Sequence, residues 1–341
     1  MTDSKDTGLV GLFGRFKEEM SSLVPGFAGS SYVLGFSGGP DSLALCFLMA
    51  KLVPKGRVLA FHVDHGLRPG SQEEALRAKG LAAALGVGFD TLAIDVRSLA
   101  AERGKGLEEA GRAARYGALE SARLAFGADY VVTAHHADDL TETILLKLVK
   151  GAGPGGLVGI PPKSGRLLRP LLGFSKSELL ELAKAPGLSW VEDPSNGDLS
   201  LPRNLLRHEV LPLLRKLNPH LNQAFARASL IARAEEGLWE DRLSLLFPRL
   251  LTPEGGGSFL LDLKAFGELS LAERRRLMGR ALRLVPGIGK GGGEPLGLAS
   301  VQMALDFIAS GGRGGVDLPA GRRIERKGER ALLRTASRAG A

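Results

Sequence analysis

Short apolar, β-branched runs alternate with longer amphipathic stretches through the N-terminal part of the chain. Tyr32 to Phe36, Arg57 to Val63, Phe89 to Ile94 and Tyr130 to Thr133 read as strands. Leu43 to Leu52, Ser71 to Leu85, Leu107 to Phe126 and Asp138 to Lys150 read as the helices that follow them. Strand then helix, repeated, predicts an α/β fold with a doubly wound parallel sheet. Ligands in such sheets bind beyond the carboxyl ends of the strands, and Ser37, Asp64 and His135 all fall there.

The pattern then changes. Residues 151–162, GAGPGGLVGIPP, are too rich in glycine and proline for regular structure and predict a mobile loop suited to gating. A helix over Ser175 to Ala183 is announced by Ser175 with Glu178 three residues on. Trp190 to Asn196 is irregular and polar. From Arg203 an apolar face of Leu205, Leu206, Val210, Leu213 and Leu214 is helical, broken by Pro212 and Pro219. These breaks set an expected division near Arg215, with one domain over 1–215 and a second, mostly helical domain over 216–341. The second holds helices at Leu221 to Phe247, Ser270 to Leu284 and Leu298 to Ser310. It ends in short strands at Val316 to Pro319, Arg322 to Arg326 and Ala331 to Arg334, read as a small hairpin. Arg313-Gly314-Gly315, a single copy before a strand, is a turn more readily than an RNA-binding element.

Composition narrows the classes. The 341 residues, 44% hydrophobic and 24% charged, are ordinary for a globular protein of two domains. No apolar run reaches the ~18 residues of a membrane span, and Asp3 and Asp6 stand where a signal peptide would be basic, so the expectation is a cytoplasmic protein without a membrane partner. Cys46 is the only cysteine, which excludes a disulfide framework, a redox pair or a thiolate metal site within one chain. The net charge of +8 is uneven: residues 1–215 hold 25 basic against 24 acidic side chains, and 216–341 hold 20 against 13. An arginine-rich excess in the second domain favours a polyanion such as RNA, against the alternative of ordinary solvated helix faces.

The chemistry concentrates in two loops. Ser37-Gly38-Gly39-Pro40-Asp41-Ser42 joins a strand to a helix: its glycines bring backbone N–H groups against an anion, and the helix start adds more. Ser37 and Ser42 offer hydroxyls to phosphate, while Asp41 favours a divalent cation shared with the phosphates, which implies Mg²⁺. The run has neither the Gly-Lys-Ser/Thr of a P-loop nor the G-x-G-x-x-G of a dinucleotide turn. Thr133-Ala134-His135-His136-Ala137-Asp138-Asp139, with Glu142 three residues further, puts two carboxylates on one helix face. Asp139 is the expected second Mg²⁺ ligand and His135 a donor to phosphate. His62 and Asp64 close the second strand beside the nucleotide, with a structural or adenosine-contacting role open for His62 and His65. A dinuclear hydrolase built from His62, Asp64, His65, His135 and His136 is the rival, although neither the H-x-H-x-D-H nor the H-E-x-x-H spacing is present and it leaves the glycine turn unexplained. Glu108, Arg112 and Arg115 share a helix face, either as an exposed ion-paired surface or as an anion site.

SGGPDS resembles the signature of the PP-loop ATP pyrophosphatases, which cleave ATP between its α and β phosphates. Together with HVDHGLRPGSQEEA, GRAARY, TAHHADDLTET, GAGPGGLVGI, RPLL, WVEDPSNGD and PRNLLRHEVLP, in that order, residues 32 to about 215 resemble the tRNA(Ile)-lysidine synthetases. Relatives in the superfamily that thiolate tRNA use paired cysteines, which are missing. The resemblance implies an adenine nucleotide alpha hydrolase-like sheet and a cytoplasmic ligase. Such a ligase adenylates the wobble cytidine of tRNA(Ile) with a CAU anticodon using ATP and Mg²⁺, then lets free L-lysine displace AMP to form lysidine. It implies ATP binding by Ser37, Gly38, Gly39, Pro40, Asp41, Ser42, His62 and Asp64, with catalytic roles for Asp41, Arg115, His135, Asp139 and Glu142. Asp139 or Glu142 would serve as base, and Arg203, Asn204 and Arg207 would contact RNA or the activated cytidine. Another PP-loop adenylating ligase, or an RNA-binding protein with a vestigial nucleotide site, are the alternatives, and the oligomeric state, a homodimer included, stays open. Gly111 and Leu140 depart from the family pattern without removing a charge. The C-terminal part resembles the family loosely, and the expectation is that the further C-terminal domain of longer members is missing.

Overall fold

A computed structural model describes residues 3–64, 71–103, 106–191, 197–287 and 297–336. The chain opens with α1 (Asp3–Leu23), for which the sequence reading offered no element. Leu12, Phe16 and Met20 recur every four residues along it and are buried. There follow β1 (Tyr32–Gly35), α2 (Pro40–Leu52), β2 (Val58–Asp64), α3 (Ser71–Ala84), β3 (Gly88–Ala93), α4 (Val96–Arg103), α5 (Leu107–Phe126), β4 (Tyr130–Val132) and α6 (Ala137–Val149). Two brief strands, β5 (Lys163–Ser164) and β6 (Leu167–Leu168), precede α7 (Lys176–Lys184).

These strands form one sheet in the order β3-β2-β1-β4-β6-β5, parallel throughout except for the β5–β6 pair. The chain runs outward from β1 through β2 to β3, then returns to place β4 on the other side of β1. That reversal opens a crevice beyond the ends of β1 and β4. The sheet is covered on both faces, as the doubly wound reading requires. On one, α2 and α7 pack with Tyr32, Leu34 and Phe174; on the other, Leu119 and Ala122 of α5 pack against Val33, Phe61 and Val131. Every residue of α2 from Ser42 to Met49 is buried, so this helix is apolar all round rather than amphipathic.

The 151–162 segment, expected to hold no regular structure, is not wholly irregular. It contains a 3₁₀ turn (Pro154–Val158), and Ile160 is buried with Leu140, Ile144 and Leu172. Lys147 Nζ donates to the Gly159 carbonyl at 3.1 Å, and Gly159 itself adopts φ 64°. Glycine is required there for space as well as conformation: a Cβ would lie 2.5 Å from Leu140 Cδ1 and 2.9 Å from Ile144 Cγ1.

After α8 (Pro202–Leu205) the helix widens into a π-helical turn over Leu206–Val210 and continues as α9 (Leu211–Leu217). Pro212 cannot donate to a helical carbonyl, and the wide turn absorbs the fault. The long helix α10 (Leu221–Leu250) follows. Two compact units emerge, one of residues 1–100 with 106–233, the other of 234–341 with 101–105. The division is therefore not at Arg215. Residues 216–233 belong to the first unit because Phe225 and Ala226 pack with the Leu140–Ile144 cluster and Ser229 Oγ donates to the Val158 carbonyl at 2.8 Å.

The second unit is less helical than expected. β7 (Leu251–Gly255) and β8 (Ser258–Asp262), then α11 (Leu263–Gly267), α12 (Leu271–Leu284) and α13 (Leu298–Ala309), lead to β9 (Gly315–Leu318), β10 (Arg322–Lys327) and β11 (Arg330–Thr335). The three terminal strands are no isolated hairpin: they join an antiparallel sheet in the order β7-β8-β11-β10-β9. β7 is mostly exposed and contains Pro253, so it carries neither the alternation nor the composition of a strand and escapes sequence reading. Leu261, Ile324, Ala331 and Leu333 of the sheet pack with Leu277, Met278 and Leu282 of α12. Among the described residues no helix is long and apolar enough to cross a membrane.

Gly159→Ala is expected to destabilise the first unit by about 1–3 kcal/mol through overpacking against α6, with further cost from the positive φ. A lowered urea midpoint relative to the wild type checks this, and an unchanged one would mean that the loop yields freely.

Candidate active site at the sheet reversal

Phe36, last of the apolar run, keeps the ladder going by donating to the Phe61 carbonyl at 2.9 Å, and the chain then turns sharply. Gly38 has φ 77°, and a side chain there would press on Val191 and Ala78 at 3.2 and 3.4 Å. Gly39 is the N-cap of α2, and Pro40 occupies the first helical turn, where its missing N–H costs nothing. Ser42 Oγ donates to the Gly39 carbonyl at 3.0 Å and lies 3.2 Å from Ser37 Oγ. The result is a strand, a left-handed glycine and a helix start whose first N–H groups face the crevice, a geometry that receives phosphate.

The end of β4 supplies the other wall. Thr133 Oγ1 and His135 Nδ1 share a 2.8 Å hydrogen bond, while His136 is buried as the N-cap of α6. His136 N–H donates to Asp139 Oδ2 at 3.0 Å, and the His136 ring accepts from the Asp138 N–H at 3.3 Å. His136 Nε2 then lies 3.7 Å from Asp139 Oδ2 and 3.7 Å from Asp41 Oδ2. The two predicted metal carboxylates therefore meet across one imidazole. Lys176 of α7 closes on Asp41 from the far side, Nζ to Oδ1 at 2.6 Å.

Behind this lies a charge network. Glu142 has no exposed surface and takes Arg203 Nε at 2.7 Å on one oxygen and Arg207 Nε at 2.7 Å on the other. Asp139 Oδ1 also receives Arg203 at 2.9 Å and Arg207 at 3.3 Å. Arg207 sits in the π-helical turn, and both guanidinium groups reach the face of α6 that carries Asp139 and Glu142. Asn204 is buried and donates to the Asp198 carbonyl at 3.0 Å, which pins the preceding turn.

The titration of these groups follows from burial and charge. Burial, together with the charges of Arg169, Arg115 and Arg112, lowers His135 to about 3 against the pull of Asp139, so its ring is neutral near pH 7. For Asp139, burial works upward, but His136, Arg203, His135 and the His136 N–H prevail and hold it at about 2. Burial would lower Arg207, yet its hydrogen bonds to Glu142 and the charges of Glu142, Asp139 and Asp41 raise it. Arg115 is half-buried and its pKa is lowered by burial, with Arg112 and Arg203 adding to the effect. Arg112 and Arg115 both lie over the Tyr116 ring, at 5.1 and 5.7 Å.

Other predicted residues are placed differently. His62 is buried, with Nδ1 3.0 Å from the Phe36 carbonyl and its ring stacked on Phe89, so it ties β1 to β2. Asp64 is half-buried at the end of β2, where its carbonyl accepts from Ile94 N–H at 2.7 Å. The hydrolase alternative loses its first ligand to this core position, and among the described residues no three His, Cys, Asp or Glu side chains gather as a metal site. His65, the Glu108 side chain and residues 192–196 lie outside the described residues. Three residues escaped the sequence reading as site members: His136, taken only with its neighbour; Lys176, whose local signal is merely the Ser175 cap; and Arg169. Arg169 is buried, donates from Nη1 to the Pro161 carbonyl at 2.8 Å and leaves Nε without a hydrogen-bond partner.

A parallel sheet whose reversal point carries a Ser-Gly-Gly turn beside a His–Asp helix start defines a nucleotide-binding α/β protein of the PP-loop class. The PP-loop domain model (ATP_bind_3) matches residues 14–214. The chain belongs to the tRNA(Ile)-lysidine synthase family. A member from Nitratidesulfovibrio vulgaris is 36% identical over 302 residues, covering 83% of this chain and 85% of that one. One from Thermus thermophilus is 36% identical over 317 residues, 92% of this chain and 58% of that one, and one from Pseudomonas syringae is 40% identical over 217 residues, 62% and 47%. The chain thus spans about half the length of several curated relatives it matches. Among solved structures, the U34-tRNA thiolase NcsA from Methanococcus maripaludis, with its [4Fe-4S] cluster, shares the fold at TM-score 0.53 and 17% identity, over 63% of this chain and 77% of that one. The single, buried Cys46 cannot supply the ligands of such a cluster.

Because the folded protein keeps His135 neutral while the unfolded chain protonates it, the unfolded state binds the extra proton between about 6.5 and about 3. Stability should be complete above that window and fall as the pH drops through it; the Asp139 contribution should be lost only lower, from 3.8 toward about 2. His135→Asn is expected to flatten the upper part of this acid dependence, as measured by urea midpoints across the window. A wild-type slope in the variant would contradict it.

Proposed function

We propose that this chain ligates L-lysine to the wobble cytidine of tRNA(Ile) bearing a CAU anticodon, at the expense of ATP. In the first step the cytidine O2 attacks the α-phosphorus, and the bond to the bridging oxygen breaks with its electron pair leaving on pyrophosphate. In the second, the lysine ε-amine attacks C2 and AMP departs with the O2 atom. A carbonyl oxygen becomes a usable leaving group only as a phosphoester, which is why adenylation must come first. The turn from Ser37 to Ser42 is assigned to the phosphates. Membership of the family and the PP-loop match support ATP as the nucleotide.

The observation that carries this reading is the approach of Asp41 and Asp139 to one imidazole, each with an oxygen 3.7 Å from His136 Nε2, at the mouth of the phosphate turn. Mg²⁺ is commonly held by one or two carboxylates with substrate phosphates completing its shell, and the donor set fits that habit. Asp41 and Asp139 would hold the ion, which when bound supplies charge neutralisation for the leaving pyrophosphate. His135, neutral, is assigned as a hydrogen-bond donor to phosphate, and Arg115 as a stabiliser of the adenylated intermediate. Asp139 is too weakly basic, and Glu142 too fully engaged by Arg203 and Arg207, to take the proton of the attacking amine. Asp139 is assigned to the metal, and Glu142 to holding Arg203 and Arg207 in place beside the substrate. The basic second unit is assigned to tRNA docking.

Incubation with Mg²⁺, ATP, labelled lysine and unmodified tRNA(Ile) should give label in RNA and lysine-dependent AMP release. Asp41→Asn should keep the far-ultraviolet dichroism and lose pyrophosphate release. Unlabelled RNA with the wild type would reject the reading, and full activity in the variant would remove Asp41 from the site.

A further inference from the structure

The turn after β1 contains no lysine, although a triphosphate losing pyrophosphate needs a positive group near the departing end. One arrives from another helix. Lys176 occupies the first position of α7, directly after the Ser175 cap, and α7 packs beside α2, which carries Asp41. Its Nζ lies 2.6 Å from Asp41 Oδ1, and its side chain is 39% exposed, enough to move without unpacking the core. The other carboxylate at this helix start is committed, since Glu178 takes the Ser175 N–H at 2.7 Å, the Ser175 hydroxyl at 2.8 Å and the Arg15 guanidinium. Asp41 is thus the carboxylate left for Lys176, and its other oxygen faces His136.

An ammonium and a divalent cation compete for one carboxylate oxygen, so the Asp41 that is to hold a metal already carries a rival cation. A lysine is a point charge on a flexible stem and can follow the negative charge to a new partner. Building on the function proposed above, we infer that Lys176 is a catalytic residue of adenylation. It holds Asp41 in the nucleotide-free site, releases that carboxylate when metal and ATP bind, and donates hydrogen bonds to the β and γ phosphate oxygens. As the bond from the α-phosphorus to the bridging oxygen breaks, the electron pair leaves on pyrophosphate and the cytidine O2 completes the new bond. Lys176 transfers no proton in this step.

Two readouts test it. Mg²⁺ titrated by calorimetry into the nucleotide-free protein should reach half-saturation at several-fold lower Mg²⁺ in Lys176→Met, because the competing ammonium is gone. Pyrophosphate release with tRNA should meanwhile fall by about 100-fold or more in kcat, the usual effect of losing one charge-stabilising donor. A purely structural ion pair would lower the melting temperature and move neither quantity, which would overturn the proposal; so would a half-saturation that rises. Should Lys176→Met not fold, Lys176→Gln carries the same two expectations. A wild type that releases no pyrophosphate at any Mg²⁺ concentration would reject the proposed reaction instead, and the Mg²⁺ titration of the nucleotide-free protein would still decide whether Lys176 and the metal compete.

Discussion

A carboxylate without exposed surface has to be paired, and Glu142 is paired twice. Removing one partner of a buried ion pair commonly costs about 3–5 kcal/mol, far more than a surface pair contributes. This requirement holds Arg203 and Arg207, and with them the helix around the π-helical turn, against the first turns of α6. The same guanidinium groups touch Asp139, whose other oxygen is already fixed by the His136 N–H. One buried acid thereby sets the orientation of the acid proposed to hold the metal.

The order of charges across the crevice follows from there. Lys176, Asp41, His136, Asp139 and the arginine pair follow one another across it, so each anion is flanked by cationic or donor groups. Such an arrangement tolerates a polyphosphate only because the cations outnumber the anions locally: Arg112, Arg115 and Arg169 all act on His135 against Asp139 alone. Burial is the main cause of the low proton affinity of His135, and these arginine charges add to it.

The second unit shows how composition overstates free charge. Arg242, Arg276 and Arg280 pair with Glu273, Glu236 and Glu240, while Arg323 and Arg334 both bind Glu325. Arginine there laces α10 to α12, and Arg334 of β11 crosses to Glu325 of β10 on the sheet.

The doubly wound sheet and the turn between Ser37 and Ser42 were legible in the residues because both depend on local rules. Strand and helix periods differ, and glycine at a left-handed position such as Gly38 has few substitutes. Asp139 and Glu142 were legible as a pair because three residues of helix always bring side chains to one face. What lay beyond local reach was every pairing across the fold. His62, open to a structural or a nucleotide role, is held by the Phe36 carbonyl across the strands, and Asn204 is buried with its amide on the Asp198 carbonyl. The glycine-rich 151–162 segment looked mobile by composition, but burial of Ile160 against α6 pinned it. Lys176, 135 residues from Asp41 along the chain, had no local signal at all. Backbone conformation is set by neighbours in sequence, whereas burial and charge pairing are set by neighbours in space, and only the folded chain chooses the latter.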